Sequence, residues 1–453
     1  MTRRLPSPQP SPRGRGRFLS DGPRLAVLAA ALLLALPARA DDLPTLIRDA
    51  LAADPAILEA RANEEVADSQ LEATRAQHWP VLGLQAGSNL VNPNDHYGTP
   101  FRGVAGRMNL YSAGAISAAI ERDEHKAQYQ RLKTEDTSEQ LAFNVASLYM
   151  QALASKELLA AETANLARHQ KIIDDLTVIV DNDGGRRYEL VQAESRALQV
   201  RTRMVQHEKT MRLALSKLTR YSSRPATLVN PLADDWQASL PADALEAPHP
   251  GLLALEREAN AVRAEQSQLS RSRWPRIDLE AGVGNNGYAR LVANWNFFDR
   301  SADYTVTSAS KQIIAAERRQ DLMQRELSQM SDTAKADMAQ SQLQIKSAEQ
   351  QIDASAEVAK LYEMQFKVGR RSLIELVNAY AELASVEVSR VLARNDWRNA
   401  VINYLHAHAA LTDWAKAQAQ TPATPQAQQK SSGGDEAPSP QPDAAPSAEA
   451  PAS

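Results

Sequence analysis

The sequence predicts an internally duplicated, mainly α protein. Its long helices should form coiled-coil hairpins, and its four strands per chain should close a membrane β-barrel only when several copies combine. Three observations carry this. Landmarks recur in the same order in two halves of the chain. Each half contains about seventy consecutive residues without Gly or Pro, and each contains two short segments in which apolar and polar residues alternate.

The first forty residues read as an export signal. A basic, Pro-rich stretch from Arg3 to Arg17 precedes the apolar run Leu25–Ala40, which ends Ala38-Arg39-Ala40, a small-x-small cleavage pattern. The run is too short to remain as a membrane span. The mature chain is expected to start at Asp41. With no Cys among 453 residues, neither a disulfide nor an acylated N-terminal Cys is expected. The net charge of −4 gives no bulk argument for nucleic acid. No apolar helix remains to span a bilayer, so any membrane passage must be made by strands.

The duplication shows most clearly between "DPAILEARANEEVADSQLEATRAQHWPVLGLQAG" (54–87) and "HPGLLALEREANAVRAEQSQLSRSRWPRIDLEAG" (249–282), offset by 195 residues. Further on, "RMNLYSAG" (107–114) answers "NWNFFDRS" (294–301), and Gly185-Arg186-Arg187 answers Gly369-Arg370-Arg371. The expected division is a signal over 1–40, a first repeat over 41–221, a Pro-punctuated linker over 222–248, a second repeat over 249–415 and a Pro/Ala-rich disordered tail over 416–453. Each repeat should run helix, two strands, long helix, helix. Pro55 and Pro250 suit first helical positions, and the Trp-Pro pairs end those helices.

Period two defines the strands. Leu82, Leu84, Ala86 and Leu90 oppose Gly83, Gln85, Gly87 and Asn89, and Val104, Met108 and Leu110 oppose Arg107 and Asn109. Ile277, Leu279, Ala281 and Val283 oppose Arg276, Asp278, Glu280 and Gly282, while Leu291, Ala293, Trp295 and Phe297 oppose Arg290, Val292, Asn294 and Asn296. The expected lipid-facing set is Leu82, Leu84, Met108, Leu110, Ile277, Leu279, Trp295 and Phe297. Alternation alone also fits a half-buried soluble sheet. The helices decide differently. Stretches 115–183 and 301–368 lack Gly and Pro, and at 1.5 Å per residue each reaches roughly 100 Å, which no compact domain needs. Ile313, Ala316, Met323, Leu327, Met330, Ala334, Ile345, Ala348, Ile352 and Ala359 recur mostly three or four apart, a narrow coiled-coil seam. Four strands cannot close a barrel and would leave bare edges in lipid. Three copies would supply twelve.

With the Asp-Pro helix start, the Trp-Pro before a strand, and the Val-Gly-Arg-Arg-Ser break at Val368–Ser372, the chain resembles the TolC-like family of outer-membrane channel-tunnels over roughly 41–414. The resemblance implies a homotrimer, a twelve-stranded barrel in outer-membrane lipid and a helical tunnel in the periplasm. It also implies a periplasmic adaptor and an inner-membrane ABC or proton-driven transporter as partners. The two Gly breaks become the periplasmic turns of two hairpins, with Gly185 and Gly369 left-handed. Phe366, Arg371, Glu375 and Asn378 fall at gate positions; Asn378 departs from the Asp often found there, leaving one acidic ring. Gly184, Gly185, Arg186, Arg187, Val368, Gly369, Arg370 and Ser372 fall at the adaptor-docking tips.

No catalysis, cofactor or metal is expected. Asp181-Asn182-Asp183-Gly184 lacks the later acidic ligand of a calcium loop, and His406 and His408 lie on different helical faces. Two duct functions remain open: type I protein secretion, which the look of "QFKVGRRSLIELVNAYAEL" (365–383) favours, and drug or metal efflux. A periplasmic coiled-coil scaffold would explain the helices but not the duplicated strands.

Overall fold

The computed structural model describes residues 42–87, 102–182, 184–222, 224–232, 236–240, 245–285 and 287–420. The expected signal over 1–40, Leu90, and the tail beyond 420 lie outside them. The chain order is α1 (Leu43–Ala53), α2 (Pro55–Arg75), β1 (Val81–Ala86), β2 (Arg102–Tyr111), α3 (Ala115–Asn182), α4 (Arg187–Leu218), α5 (Pro250–Arg271), β3 (Arg276–Gly284), β4 (Tyr288–Asn294), α6 (Arg300–Lys367), α7 (Leu373–Ala407) and α8 (Leu411–Gln420). Helix α8 carries regular structure through Gln420, past the expected start of a disordered tail at 416.

Helix starts follow the capping chemistry of the sequence. Asp54 ends α1 and caps α2, accepting from Ala56 N at 2.8 Å with Pro55 at the first helical position. At the matching place His249 Nδ1 accepts from Gly251 N at 3.1 Å. Asp299 caps α6 through Ser301 N and Ala302 N.

Helices α3 and α6 are each 68 residues long. Helix α3 packs against α2 and α4 on one flank and α5 and α7 on the other; α6 packs on α5 and α7. The lateral order is therefore (α2, α4)–α3–(α5, α7)–α6. The sheet runs β1-β2-β3-β4, antiparallel throughout. Both layers advance in the same order and neither closes on itself. β1 and β4 are open edges, and α2/α4 and α6 are open flanks.

Along α6 one stripe of less exposed positions runs through 306, 309, 313, 316, 320, 323, 327, 331, 334, 338, 341, 345, 348, 352, 355, 359, 362 and 366. Steps of three and four alternate except at 323–327–331, where two fours adjoin, a stutter in the heptad. There α6 changes partner: Met323 lies beside Gly251 at the start of α5, and Ser331 Oγ lies 3.0 Å from His408 Nε2 just past α7. Much of the seam is Ala or Ser, which permits close approach of the helices.

The main core lies at mid-length, where α1, α8 and the inter-repeat segment wrap the long helices. Tyr149 OH donates to Thr227 O (2.7 Å) and accepts from Val229 N (2.9 Å), and Lys156 donates to Leu228 O, so the connection after α4 is a strap tied to α3. Glu139, buried, caps α8 by accepting from Leu411 N and Thr412 N. In this belt His406 stacks on Phe143 at 4.4 Å, and its Nδ1 is buried without a partner. Burial, then the adjacent His249, push the His406 pKa down from 6.5 to about 4, with Asp136 opposing. The fold thus excludes the charged ring. Its contribution is present above pH 6.5 and is lost as pH falls from there through 4, up to about 3 kcal/mol. The apparent unfolding temperature, followed by helical circular dichroism, is expected to drop from pH 7 to 4.5, and to drop less in His406→Phe. Equal drops in both proteins would place the acid sensitivity elsewhere.

Candidate functional site

Two regions bear on function: the sheet at one end and the helical turns at the other. In the sheet, register places Leu84 opposite Val104 and Val104 opposite Val283, and Met108 opposite Leu279 and Leu279 opposite Leu291. One face is therefore apolar across four strands. It is the exposed one: Leu82 is 71% exposed, Leu84 88%, Val283 78% and Leu291 68%. The other face carries Arg107, Glu280 and Arg290 in one cross-strand row, with Arg290 Nη2 donating to Glu280 at 2.8 Å. In the next row Asn109 Nδ2 and Arg276 Nε donate to the buried Asp278, at 3.0 and 2.9 Å. Polar groups in and leucines out is the arrangement of a barrel wall in lipid and the reverse of a soluble half-buried sheet.

Three expected lipid-facing positions lie outside the regular ladder pairing. β4 ends at Asn294, so Trp295 and Phe297 lie beyond the ladder. Trp295 Nε1 instead donates to Arg273 O at 3.2 Å, and the chain turns there into the Asp299 cap. Leu110 sits at a bulge: Asn109 pairs with Asp278 and Tyr111 with Ile277, which leaves Leu110 without a ladder partner. Leu82, Leu84, Met108, Ile277 and Leu279 are in register on the apolar face.

At the far end, α6 closes with Gly369 at φ 72°, Gly369 N donating to Phe366 O and Arg370 N to Gln365 O, a Schellman ending. The matching first-half turn is built differently. Gly184–Arg186 form a 3-10 turn, and the positive-φ glycines among the described residues are Gly114 and Gly369, so Gly185 is not left-handed. The winding tightens rather than reverses before α4.

Ser372 and Glu375 form a capping box at the start of α7, and Arg371 Nη1 donates to Glu375. Arg371 also donates to Gln365 Oε1 at 3.0 Å and lies 4.4 Å from the Tyr362 ring centre. The Ser372 amide and hydroxyl, then Arg371, hold Glu375 below the ordinary carboxylate value, so it stays ionised at neutral pH. Asn378 is exposed on the same side of α7. Phe366 is not with them. It is buried in a tip core with Leu176, Leu373 and Leu376, and the Arg186 guanidinium lies 5.7 Å from its ring centre. Apolar packing between the two hairpins claims it. Arg186 also pairs with Glu189 at 2.7 Å, while Gly184, Gly185, Arg187, Val368, Gly369, Arg370 and Ser372 are exposed.

Sequence reasoning missed the links between the hairpins. Glu363 accepts from Lys171 (2.5 Å) and Tyr380 (2.8 Å), joining α6 to α3 and α7, and Lys171 first of all lowers its pKa to about 2. Arg168 pairs with Glu387, and Arg398 with Glu157. Only the Glu363–Lys367 spacing was visible along the chain.

Residues 46–223 match the model of the family described as Outer membrane efflux protein. The match falls in the first half of the chain, from α1 to just past α4. It is 27% identical over 326 residues to the nickel and cobalt resistance protein CnrC of Cupriavidus metallidurans, covering 68% of this chain and 75% of that relative. Among solved structures, CusC superposes with TM-score 0.72 at 15% identity, covering 82% of this chain and 92% of CusC. VceC of Vibrio cholerae gives 0.70 at 15% identity, over 81% and 96% of the two chains. The open-state MtrE channel of Neisseria gonorrhoeae gives 0.68 at 17% identity, over 82% and 89%. The fold described here is thus that of these outer-membrane channels.

Proposed function

We propose that three copies form one channel-tunnel, with twelve strands in the outer membrane and the helices lining a periplasmic duct. The duct passively conducts cargo received from an inner-membrane transporter through an adaptor. The observation that carries this is the pair of open layers. β1 and β4 are unpaired edges at one level, and α2/α4 and α6 are open flanks at the other, in matching lateral order. Rotation about one axis closes both layers at once, and an unpaired edge in lipid is prohibitively costly. Between the two duct functions, resemblance to a nickel and cobalt resistance protein favours the outer component of an efflux pump over type I secretion. Native mass spectrometry of detergent-extracted protein is expected to give the trimer mass; a stable membrane-inserted monomer would sink the reading.

The gate belongs to Arg371, Glu375 and Asn378, and the exposed turns at 184–187 and 368–372 to adaptor docking. Arg371 ties the turn to α6 through Gln365 and Tyr362 and to α7 through Glu375. Arg371→Ser is therefore expected to loosen the turn and raise single-channel conductance in planar bilayers, and Glu375→Ala to do the same while removing the acidic ring. Arg186→Ser should weaken capture of the adaptor more than it alters conductance. Unchanged conductance in both second-half variants, with trimers intact, would place the gate elsewhere.

A further inference from the structure

A cavity of about 370 Å³ opens between α3, α4 and α7. Its floor is one face of α3, where Glu162, Asn165 and His169 follow at spacings of three and four and are all buried. Glu162 is well supplied with donors: Arg203 of α4 donates through Nε (2.6 Å) and Nη2 (3.1 Å), and Asn165 Nδ2 donates at 3.2 Å. That last bond fixes the amide, because a carboxylate accepts only from the N–H₂ end, so Asn165 Oδ1 faces away. Asn165 Oδ1 and His169 Nδ1 are then buried polar atoms without partners, although such atoms normally find one. The α4 wall adds Arg196, which donates to Gln199 Oε1 at 3.2 Å and has no carboxylate partner among the described residues. The α7 wall is short and largely apolar, with Val377, Ala381 and Ala384.

The charges favour an anion over a metal ion. Arg196 and Arg203 outweigh Glu162 by one. Burial, then Arg203, Arg196 and Arg168, hold His169 below the ordinary imidazole value, so it is neutral and its ring nitrogen faces a positive surround. A dication would meet the same repulsion that disfavours imidazolium. An anion with a hydroxyl meets every open demand. Its carboxylate accepts from Arg196 and from His169 in the Nδ1–H tautomer, and its O–H donates to Asn165 Oδ1. We propose that this cavity is a binding site for a small hydroxycarboxylate. Asn378 lines both this cavity and the shallow groove holding Glu375, so the cavity opens on the face that carries the gate. Only that placement along the duct rests on the channel reading.

The probe is citrate, titrated calorimetrically into full-length detergent-solubilised protein at pH 7. Expected is saturable binding of one citrate per chain, weakened at least tenfold by Arg196→Gln and by Asn165→Leu. Tricarballylate, which is citrate without its hydroxyl, should bind at least tenfold more weakly than citrate. Absent saturation, equal affinity in Arg196→Gln, or equal affinity for the two acids would each overturn the site. Trimer mass and conductance of the same preparation report on the channel separately, and Arg196→Gln should leave both unchanged.

Discussion

Glu157→Ala is expected to destabilise the helical body by about 3–5 kcal/mol, because it strands a buried guanidinium. Arg398 is 1% exposed, and its Nη1 and Nη2 reach the two Glu157 oxygens at 2.9 and 2.8 Å. Its Nε already lacks a partner, so the bidentate pair is what holds the charge in place. Glu157 is a quarter exposed, which admits some water and sets the loss toward the lower end of that range. The pair ties α3 to α7, 241 residues apart in the chain, so the loss should appear as an earlier, less cooperative melt of the helical circular dichroism signal. The double variant Glu157→Leu/Arg398→Met removes both charges and should recover most of the stability. A single variant as stable as the parent, or a double variant worse than the single, would show that packing and not charge pairing governs this contact.

What the sequence disclosed follows its own periodicities. Ala316, Ala334, Ala348 and Ala359 repeat at helical spacing and are buried, because a 68-residue helix has one seam and no tertiary detail to disturb it. Ser331 and Ser341 belong to the same seam but are absent from its apolar pattern, since residue type conceals that a hydroxyl can sit in a close helix contact. The two-residue period placed the apolar face correctly in strand interiors and failed at ends. Trp295 and Phe297 kept the alternation after the ladder had stopped, and the bulge at Leu110 shifted the count by one. Phe366 lay at a family gate position, yet the distance that decides its role is to Arg186 and Leu176, both in the other hairpin. The cavity on α3 was hidden for the same reason. Glu162, Asn165 and His169 look like ordinary helix surface until α4 brings Arg203 and Arg196 against them. The strap after α4 was masked by its prolines, which mark irregular backbone without saying whether Leu228, Leu232 and Trp236 are buried.

Leu279→Arg and Glu280→Arg, adjacent in β3, should behave oppositely. Leu279 pairs with Met108 and Leu291 on the apolar face, whereas Glu280 pairs with Arg107 and Arg290 on the polar one. If the apolar face meets lipid, an Arg at 279 near the midplane costs roughly 2–4 kcal/mol in each copy. If three copies insert together, as proposed, the losses accumulate and assembled trimer in outer-membrane fractions should fall severalfold. Glu280→Arg costs no lipid contact. It places a third cation beside Arg107 and Arg290, which water in the lumen screens. Trimers should therefore form, and the open channel should shift toward anions in reversal-potential measurements across a salt gradient. Glu280→Gln separates the two effects, removing the charge without adding repulsion, and should give a smaller shift of the same sign. Normal insertion of Leu279→Arg together with failed insertion of Glu280→Arg would mean that the sheet faces the other way.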